Sequence, residues 1–409
     1  MIDLSFRPAP DTPILLDVSR LIWRNWRKQL PTGIDRACLA YVRHYGGHAR
    51  AVVQRGGFTH VLDARTSHAL FALLLNRSDT FRRRLIVLMA RILPRIAVGA
   101  GKVPEGALYL NVGHTGLNQP GHGRWVRRTG VRAVYYVHDL IPITHPQFTR
   151  EGETVRHRAR MEMVLTHGAA IIANSEDSIA RLRDFAVERG LSVPPTLCAP
   201  LGLEPLHIHS EKPDKPPLAD PYFVILGTIE ARKNHILLLR LWPKLAERCA
   251  SGPVPKLVII GRRGWSIKDV ADMLDHDETL HPHVIELSDC NDAELPGWLT
   301  HARALLFPSF TEGQGLPLME ALALGTPAIA GNLAVYREFA GNIPDYASPD
   351  EEEAWLTLIA DYAHPNSPRA AQQKMRMAGF RAPTWEEHLQ RVDQWLELST
   401  NRLYIPPRF

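Results

Sequence analysis

Short apolar runs bounded by turn residues recur along the chain, and between them the apolar positions fall into helical spacing. In the first half the runs are ILLDV at Ile14 to Val18, Ala51 to Val53, ALYLNVG at residues 107 to 113, VYYVHD ending at Asp139, and AIIANS ending at Ser175. In the second half they are YFVILGT from Tyr222, KLVIIG from Lys256, VIEL from Val284 and ALLF ending at Phe307. Helical patterns lie between them: Ile34 to Tyr45, Ala69 to Leu75, Arg82 to Ile96, Glu151 to His167, Asp177 to Glu188, Asn234 to Leu241 and Leu316 to Leu324. A further one, TWEEHLQRVDQWLEL, lies near the end of the sequence. Thr32 is placed to cap the helix that follows Gly33, and Ser175 to cap the helix that follows it. The segment after Val18, SRLIWRNWRKQLPTGIDR, reads instead as a long amphipathic loop, with Trp23, Trp26, Arg24, Arg27 and Lys28 set either to grip an acceptor or lipid or to pack as a lid. Strand and helix in alternation predict an α/β fold of parallel sheets wrapped by helices.

A chain of 409 residues is too long for one ordinary core, and about 150 residues per domain points to two or three. The stretch Pro200 to Pro221, PLGLEPLHIHSEKPDKPPLADP, holds too many prolines for a helix or a central strand, so it reads as a linker. The expected domains are residues 1–203, a Pro-rich linker at 204–221, a second domain at 222–383, and a terminal helix at 384–409.

Apolar content of 45% with 22% charged residues is that of a globular protein. Cys38, Cys198, Cys249 and Cys290 are widely spaced, with no CxxC pair or His cluster, so neither zinc nor a disulfide framework is expected. The opening MIDLSFRPAPDTP lacks a basic segment followed by an apolar run, so no export signal is expected and the cytoplasm is the expected compartment. The most apolar region, Leu70 to Ala100, is broken by polar residues into segments too short to cross a bilayer. A net charge of +5 implies an anionic partner. Nucleic acid is not expected, since no zinc-finger spacing, RNP-type strand or helix-turn-helix pattern is present. In residues 82–96, Arg82, Arg83, Arg84, Arg91 and Arg95 interleave with apolar residues. That mixture fits a helix lying on anionic lipid at the inner membrane face, and equally a core helix with a solvated basic side.

The chemistry concentrates between Pro308 and Gly331, PSFTEGQGLPLMEALALGTPAIAG. There an apolar strand passes through Gly313 and Gly315 into a helix. A helix entered through glycines offers unpaired amides and the positive end of its dipole to an anion. Glu312 before the helix and Glu320 inside it flank this cradle, and ionised carboxylates offer only acceptor sites, which suit sugar and ribose hydroxyls. Arg232 and Lys233, after the strand YFVILGT and Gly227, are placed to meet a diphosphate there. His138 ends its strand where open parallel sheets bind ligands.

The Glu312 to Glu320 spacing, with Pro308, Ser309, Gly313, Gly315, Leu316, Pro317, Ala321, Gly325 and Pro327 in register, resembles the E-x7-E motif of the large retaining glycosyltransferase family that includes sucrose synthases and bacterial mannosyltransferases. HDLIPITHP after Val137 resembles another segment of that family, and NLAVYREFAG, with Glu338, follows its S-x-x-x-E-x-x-G pattern loosely. Gln314 stands where the family usually has an aromatic residue, and Thr228 where many members have arginine.

The resemblance implies a GT-B fold: two Rossmann-like domains facing a central cleft, with the terminal helix crossing back to the first. It implies a nucleotide-diphosphate sugar donor, GDP-mannose among the candidates, and a saccharide or lipid-linked saccharide acceptor, with retention by front-face attack. His138 and Glu312 would then be the catalytic contacts to the donor sugar. Donor binding would fall to Gly33, Gly227, Thr228, Arg232, Lys233, Gly261, Arg262, Gly313, Gln314, Gly315, Leu316 and Glu320, the turn at Gly261 and Arg262 reading the base. No DxD-type acidic pair is evident, so no metal and no cofactor are expected. A nucleotide-sugar epimerase of like architecture, a phosphorylase and a non-catalytic scaffold of polysaccharide assembly remain as alternatives.

Overall fold

The structure is a computed structural model that describes residues 12–29, 31–76, 79–97, 103–204, 215–248 and 253–399, the side chains of 91–97 and 399 excepted. The expectations placed on residues 1–11, on Arg91, Arg95 and Cys249, and on most of the linker (205–214) lie outside the described residues. The chain divides into two compact units. One comprises Met1–Thr144, Glu151–Leu201 and Trp385–Phe409, the other His145–Arg150 and Gly202–Thr384.

The first unit is built on a seven-stranded sheet in the order β3-β2-β1-β4-β5-β6-β7. Its strands are β1 (Ile14–Asp17), β2 (Arg50–Arg55), β3 (Phe58–Val61), β4 (Leu108–Asn111), β5 (Arg132–Val137), β6 (Ala170–Ala173) and β7 (Thr196–Cys198). All pair in parallel except β2 with β3. The helices are α1 (Ser19–Trp26), α2 (Gly33–Tyr45), α3 (Ala64–Leu75), α4 (Phe81–Ala97), α5 (Pro120–Thr129), α6 (Ile141–Thr144), α7 (Glu153–His167) and α8 (Glu176–Arg189). Leu15, Tyr109, Tyr135 and Ile171 from successive strands, with Met161, Leu182 and Phe185 from α7 and α8, form one buried cluster. The helix Trp385–Ser399 joins this unit, with His388 Nδ1 donating to the Pro200 carbonyl at 2.9 Å and Nε2 accepting from the Tyr41 hydroxyl at 3.1 Å.

Two local readings change, and a hairpin is added to them. The segment after Val18 is not a loop: α1 folds from Ser19 to Trp26 and buries Leu21. Helix α3 begins at Ala64 rather than Ala69, because Asp63 caps it by accepting from the Thr66 amide at 2.9 Å. Between β2 and β3 the pair Gly56 and Gly57, at φ 57° and 85°, turns the chain into an antiparallel hairpin. Ser175 caps α8 as its sequence position indicates, its hydroxyl oxygen accepting from the Ser178 amide at 3.1 Å.

The second unit has a six-stranded sheet in the order β10-β9-β8-β11-β12-β13. The strands are β8 (Tyr222–Leu226), β9 (Lys256–Ile260), β10 (Val284–Leu287), β11 (Leu305–Phe307), β12 (Ala328–Gly331) and β13 (Asp345–Ala347), all paired in parallel. One face is covered by a cluster around Trp242, Leu238, Trp355 and Ile359, and the other by Leu318, Leu322, Leu299 and Tyr336. Counted within the unit, this is the doubly wound order in which the chain reverses direction between its first and fourth strands. That reversal falls between β8 and β11. Ligands in such sheets bind outside the carboxyl ends of the strands at that point.

Candidate functional site

Gly227 ends β8 at φ 129°. A side chain there would put a Cβ 2.8 Å from Lys233 Cε, so only glycine lets the lysine lie along the strand end. A single 3-10 turn, Ala231–Lys233, then aims two cations across to the loop after β11. Lys233 Nζ donates to Glu312 Oε1 at 2.7 Å, Arg232 Nη1 reaches Glu312 Oε2 at 2.7 Å, and Ser309 Oγ donates to Oε1 at 3.0 Å. The Phe310 amide donates to the Arg232 carbonyl at 2.8 Å, and Arg232 Nη1 to the Thr311 carbonyl at 3.0 Å, fixing one loop on the other. Arg232 Nη2 also lies 2.7 Å from Glu230 Oε1.

The electrostatics follow from burial. The Lys233 and Glu312 side chains are only 7% and 8% exposed. Desolvation by itself would raise the Glu312 carboxyl, but the charges of Arg232 and Lys233 override it and hold the group at about 2. The Lys233 ammonium is pushed below its usual value by burial and by Arg232, with Glu312 opposing. It also sits 4.7 Å from the Phe307 ring centroid, a cation–π arrangement. Next in the chain, His235 is 1% exposed with neither ring nitrogen hydrogen-bonded. Burial, with Lys233 nearby, drops its pKa to about 3, so the ring is neutral.

The glycine cradle stands beside this cluster. Gly315 is the N-cap of the helix Leu316–Ala323 at φ 92°, and a Cβ on it would lie 2.6 Å from the Tyr336 ring, itself stacked on Phe307 at 5.3 Å. Gln314 is buried and donates to Met319 Sδ at 3.3 Å, so it fills inward the place where an aromatic residue was expected. Glu320 is 3% exposed on the same helix. Neither glutamate is a surface residue. Gly261, at φ 157°, brings the end of β9 against β8: a Cβ there would come 2.0 Å from the Gly227 carbonyl oxygen. The Arg262 carbonyl accepts from the Ile229 amide at 2.9 Å while its guanidinium is exposed, 3.4 Å from Asp289. Thr228 is exposed on the same turn, and Glu338 is exposed beyond β12.

The second unit therefore gathers Gly227, Arg232, Lys233, Glu312 to Leu316 and Glu320. Gly33 and His138 belong to the first unit. Gly33 opens α2, where the Thr32 amide and hydroxyl both donate to Asp35 Oδ2 at 2.7 and 2.9 Å, and Asp35 is paired with Arg20 and Arg24 at 2.7 and 2.6 Å. His138 is 4% exposed, with Nε2 2.7 Å from the Val112 carbonyl. A carbonyl can only accept, so Nε2 carries the proton. Burial lowers the group to about 4 against the opposing pull of that hydrogen bond, so the ring is neutral. Nδ1 of this tautomer is therefore an acceptor.

Two features of the first unit were missed at sequence level. His114, at φ 59° after β4, packs its ring 5.2 Å from His138 and 6.0 Å from His157. Asp17, at the end of β1, accepts from Gln54 Nε2 at 2.6 Å, the Tyr109 hydroxyl at 2.9 Å and the Ser19 amide at 3.0 Å. Polar residues closing buried strands, as in ILLDV and LYLN, were the available signal.

Residues 209–348 match the family model described as Glycosyl transferases group 1. Over 266 residues, 59% of this chain, the sequence is 27% identical to the serotype-specific mannosyltransferase WbdA of Escherichia coli, of which the match covers 32%. It is 31% identical over 166 residues to the O-antigen chain mannosyltransferase B of Escherichia coli, covering 40% of this chain and 42% of the relative. The chain thus spans less than half the length of these curated relatives. Among solved structures, Anabaena HepE in complex with UDP and glucose aligns over 95% of this chain and 100% of its own, with a TM-score of 0.65 at 15% identity. Sucrose-phosphate synthase from Thermosynechococcus elongatus aligns over the same shares, 95% and 100%, with a TM-score of 0.60 at 14% identity. The fold is therefore that of two parallel-sheet α/β domains of the GT-B kind. Residues 209–348 thus resemble the group 1 glycosyltransferases, and the chain is similar in sequence to bacterial O-antigen mannosyltransferases.

Proposed function

We propose that the chain is a glycosyltransferase that moves a hexose, mannose foremost, from a nucleotide-diphosphate sugar to a hydroxyl of a growing surface polysaccharide or a lipid-linked oligosaccharide at the cytoplasmic side of the membrane. The observation that carries this reading is the pair of cations, Arg232 and Lys233, pre-aimed at the sheet's point of reversal beside a glycine-entered helix. Mannosyltransferases among the relatives support the choice of sugar, and GDP-mannose is the donor that follows from it.

In the proposed reaction the acceptor oxygen bonds to the anomeric carbon on the face from which the diphosphate leaves. The bond from that carbon to the β-phosphate oxygen breaks, and a leaving phosphate oxygen takes the hydroxyl proton, so the configuration is retained. Fixed cations and amide dipoles then stabilise the charge that develops on the diphosphate. Lys233 and Arg232 supply the cations and the Leu316 amide, at the positive end of the helix, the dipole, since Pro317 has no N–H and the Leu318 and Met319 amides donate to the Gly315 carbonyl. The reaction is proposed to proceed without a divalent metal. Glu312, held ionised, shares those cations and presents acceptor oxygens to the sugar hydroxyls. Glu320 is assigned to the ribose diol, and Gly33 and His138 to the donor sugar.

The test is transfer of radiolabelled hexose from GDP-mannose, UDP-glucose or dTDP-glucose to a polyprenyl-diphosphate oligosaccharide in EDTA. The expected outcome is acceptor-dependent incorporation from one donor. Conversion of the donor sugar without acceptor would identify an epimerase instead, and no turnover with any donor would end the transferase reading.

A further inference from the structure

The β2–β3 hairpin carries a feature that the proposed reaction does not use. Phe58, the first residue past the Gly56–Gly57 turn, is 83% exposed. The turn is braced against α5: a Cβ on Gly121 would come 2.2 Å from the Gly57 carbonyl oxygen, so the hairpin tip and the helix are in backbone contact. Between them runs a groove of about 700 Å³ lined by Phe58, Trp125, Arg124, Arg127 and Arg128, with no acidic side chain in its walls. Arg127 Nη1 lies 3.1 Å from His167 Nε2. Arg124 and Arg128, one helical turn apart and both exposed, have no carboxylate partner among the described residues. Directly across the ladder from Phe58, Arg55 lies over the Trp23 ring at 5.0 Å.

We propose that this hairpin tip and arginine groove form a docking surface for an anionic phospholipid membrane, with Phe58 entering the headgroup boundary and Arg124 and Arg128 meeting lipid phosphates. Unpaired guanidiniums bind phosphate oxygens in a bidentate manner. The exposed phenyl ring decides between a lipid surface and a soluble anion, because only a lipid surface gives the ring an apolar environment to enter. Arginine flanked by aromatic rings is the composition of interfacial segments. This assignment differs from the α4 segment that the sequence singled out, and it stands independently of the sugar-transfer reading.

Co-sedimentation with vesicles tests it. The full chain should pellet with phosphatidylglycerol-containing vesicles, remain in solution with pure phosphatidylcholine, and be released by salt. Phe58→Ser and the double variant Arg124→Gln/Arg128→Gln should each weaken partitioning on the order of ten-fold, with thermal unfolding midpoints matching the wild type. Equal binding to neutral vesicles, no binding, or undiminished binding by both variants would overturn the proposal. So would release by inorganic phosphate at constant ionic strength, which would mark a soluble-anion site, or displacement by single-stranded RNA.

Discussion

Glu312 is a carboxylate almost without water, kept ionised by a buried Lys233 and a partly exposed Arg232. Its pKa falls from an ordinary 4.5 to about 2 on folding, so the unfolded chain takes up the proton first as pH drops. The stabilisation is therefore fully present above about 4.5 and is lost as pH falls through about 2. The depressed Lys233 offsets part of it. The size of the Glu312 shift corresponds to roughly 3 kcal/mol at neutral pH before that offset. Glu312→Gln should accordingly lower the unfolding midpoint at pH 7, and the deficit should shrink between pH 4.5 and 2. A deficit of constant size across that window would mean that charge is not what the cluster contributes. Glu312, Arg232 and Lys233 were each legible as candidates from motif and position. Their mutual pairing was not, since the partners are 79 residues apart and meet only because β8 and β11 are neighbours in the sheet.

At the scale of elements, the glycines show how strand ends are brought close enough to make a site. Gly315 combines a left-handed φ of 92° with a ring 2.6 Å from where its Cβ would be. Gly315→Ala should therefore destabilise the protein by about 1–3 kcal/mol through strain and displacement of Tyr336. The thermal midpoint measures this, and an unchanged midpoint would show that the turn can relax. Strands and most helices were readable from periodicity. Helix α1 was misread because its Trp and Arg residues run toward Pro31 and Gly33, which look like loop chemistry, while the packing of α1 on β2 and on α2, α3 and α4 involves residues distant in the chain. The hairpin was overlooked although Gly56–Gly57 is a recognised turn pair. Its second strand, FTHV, is too short and too mixed in polarity to announce itself.

For the whole molecule, alternation of strand and helix was enough to foresee two parallel-sheet α/β domains, but strand order lies beyond what periodicity carries. That order matters, because it sets β8 beside β11 and so places the two cations next to the glycine-entered helix. In the proposed reaction this cluster receives a nucleotide diphosphate without a metal. Calorimetric titration of GDP and of UDP in EDTA, into wild type and Lys233→Ala with matched folding, tests it most directly. At least one nucleotide should bind the wild type, and the variant should lose about 1.5–3 kcal/mol of affinity, the worth of a charge-assisted hydrogen bond. Equal affinity in the two proteins, or binding by neither nucleotide until a divalent ion is restored, would contradict it.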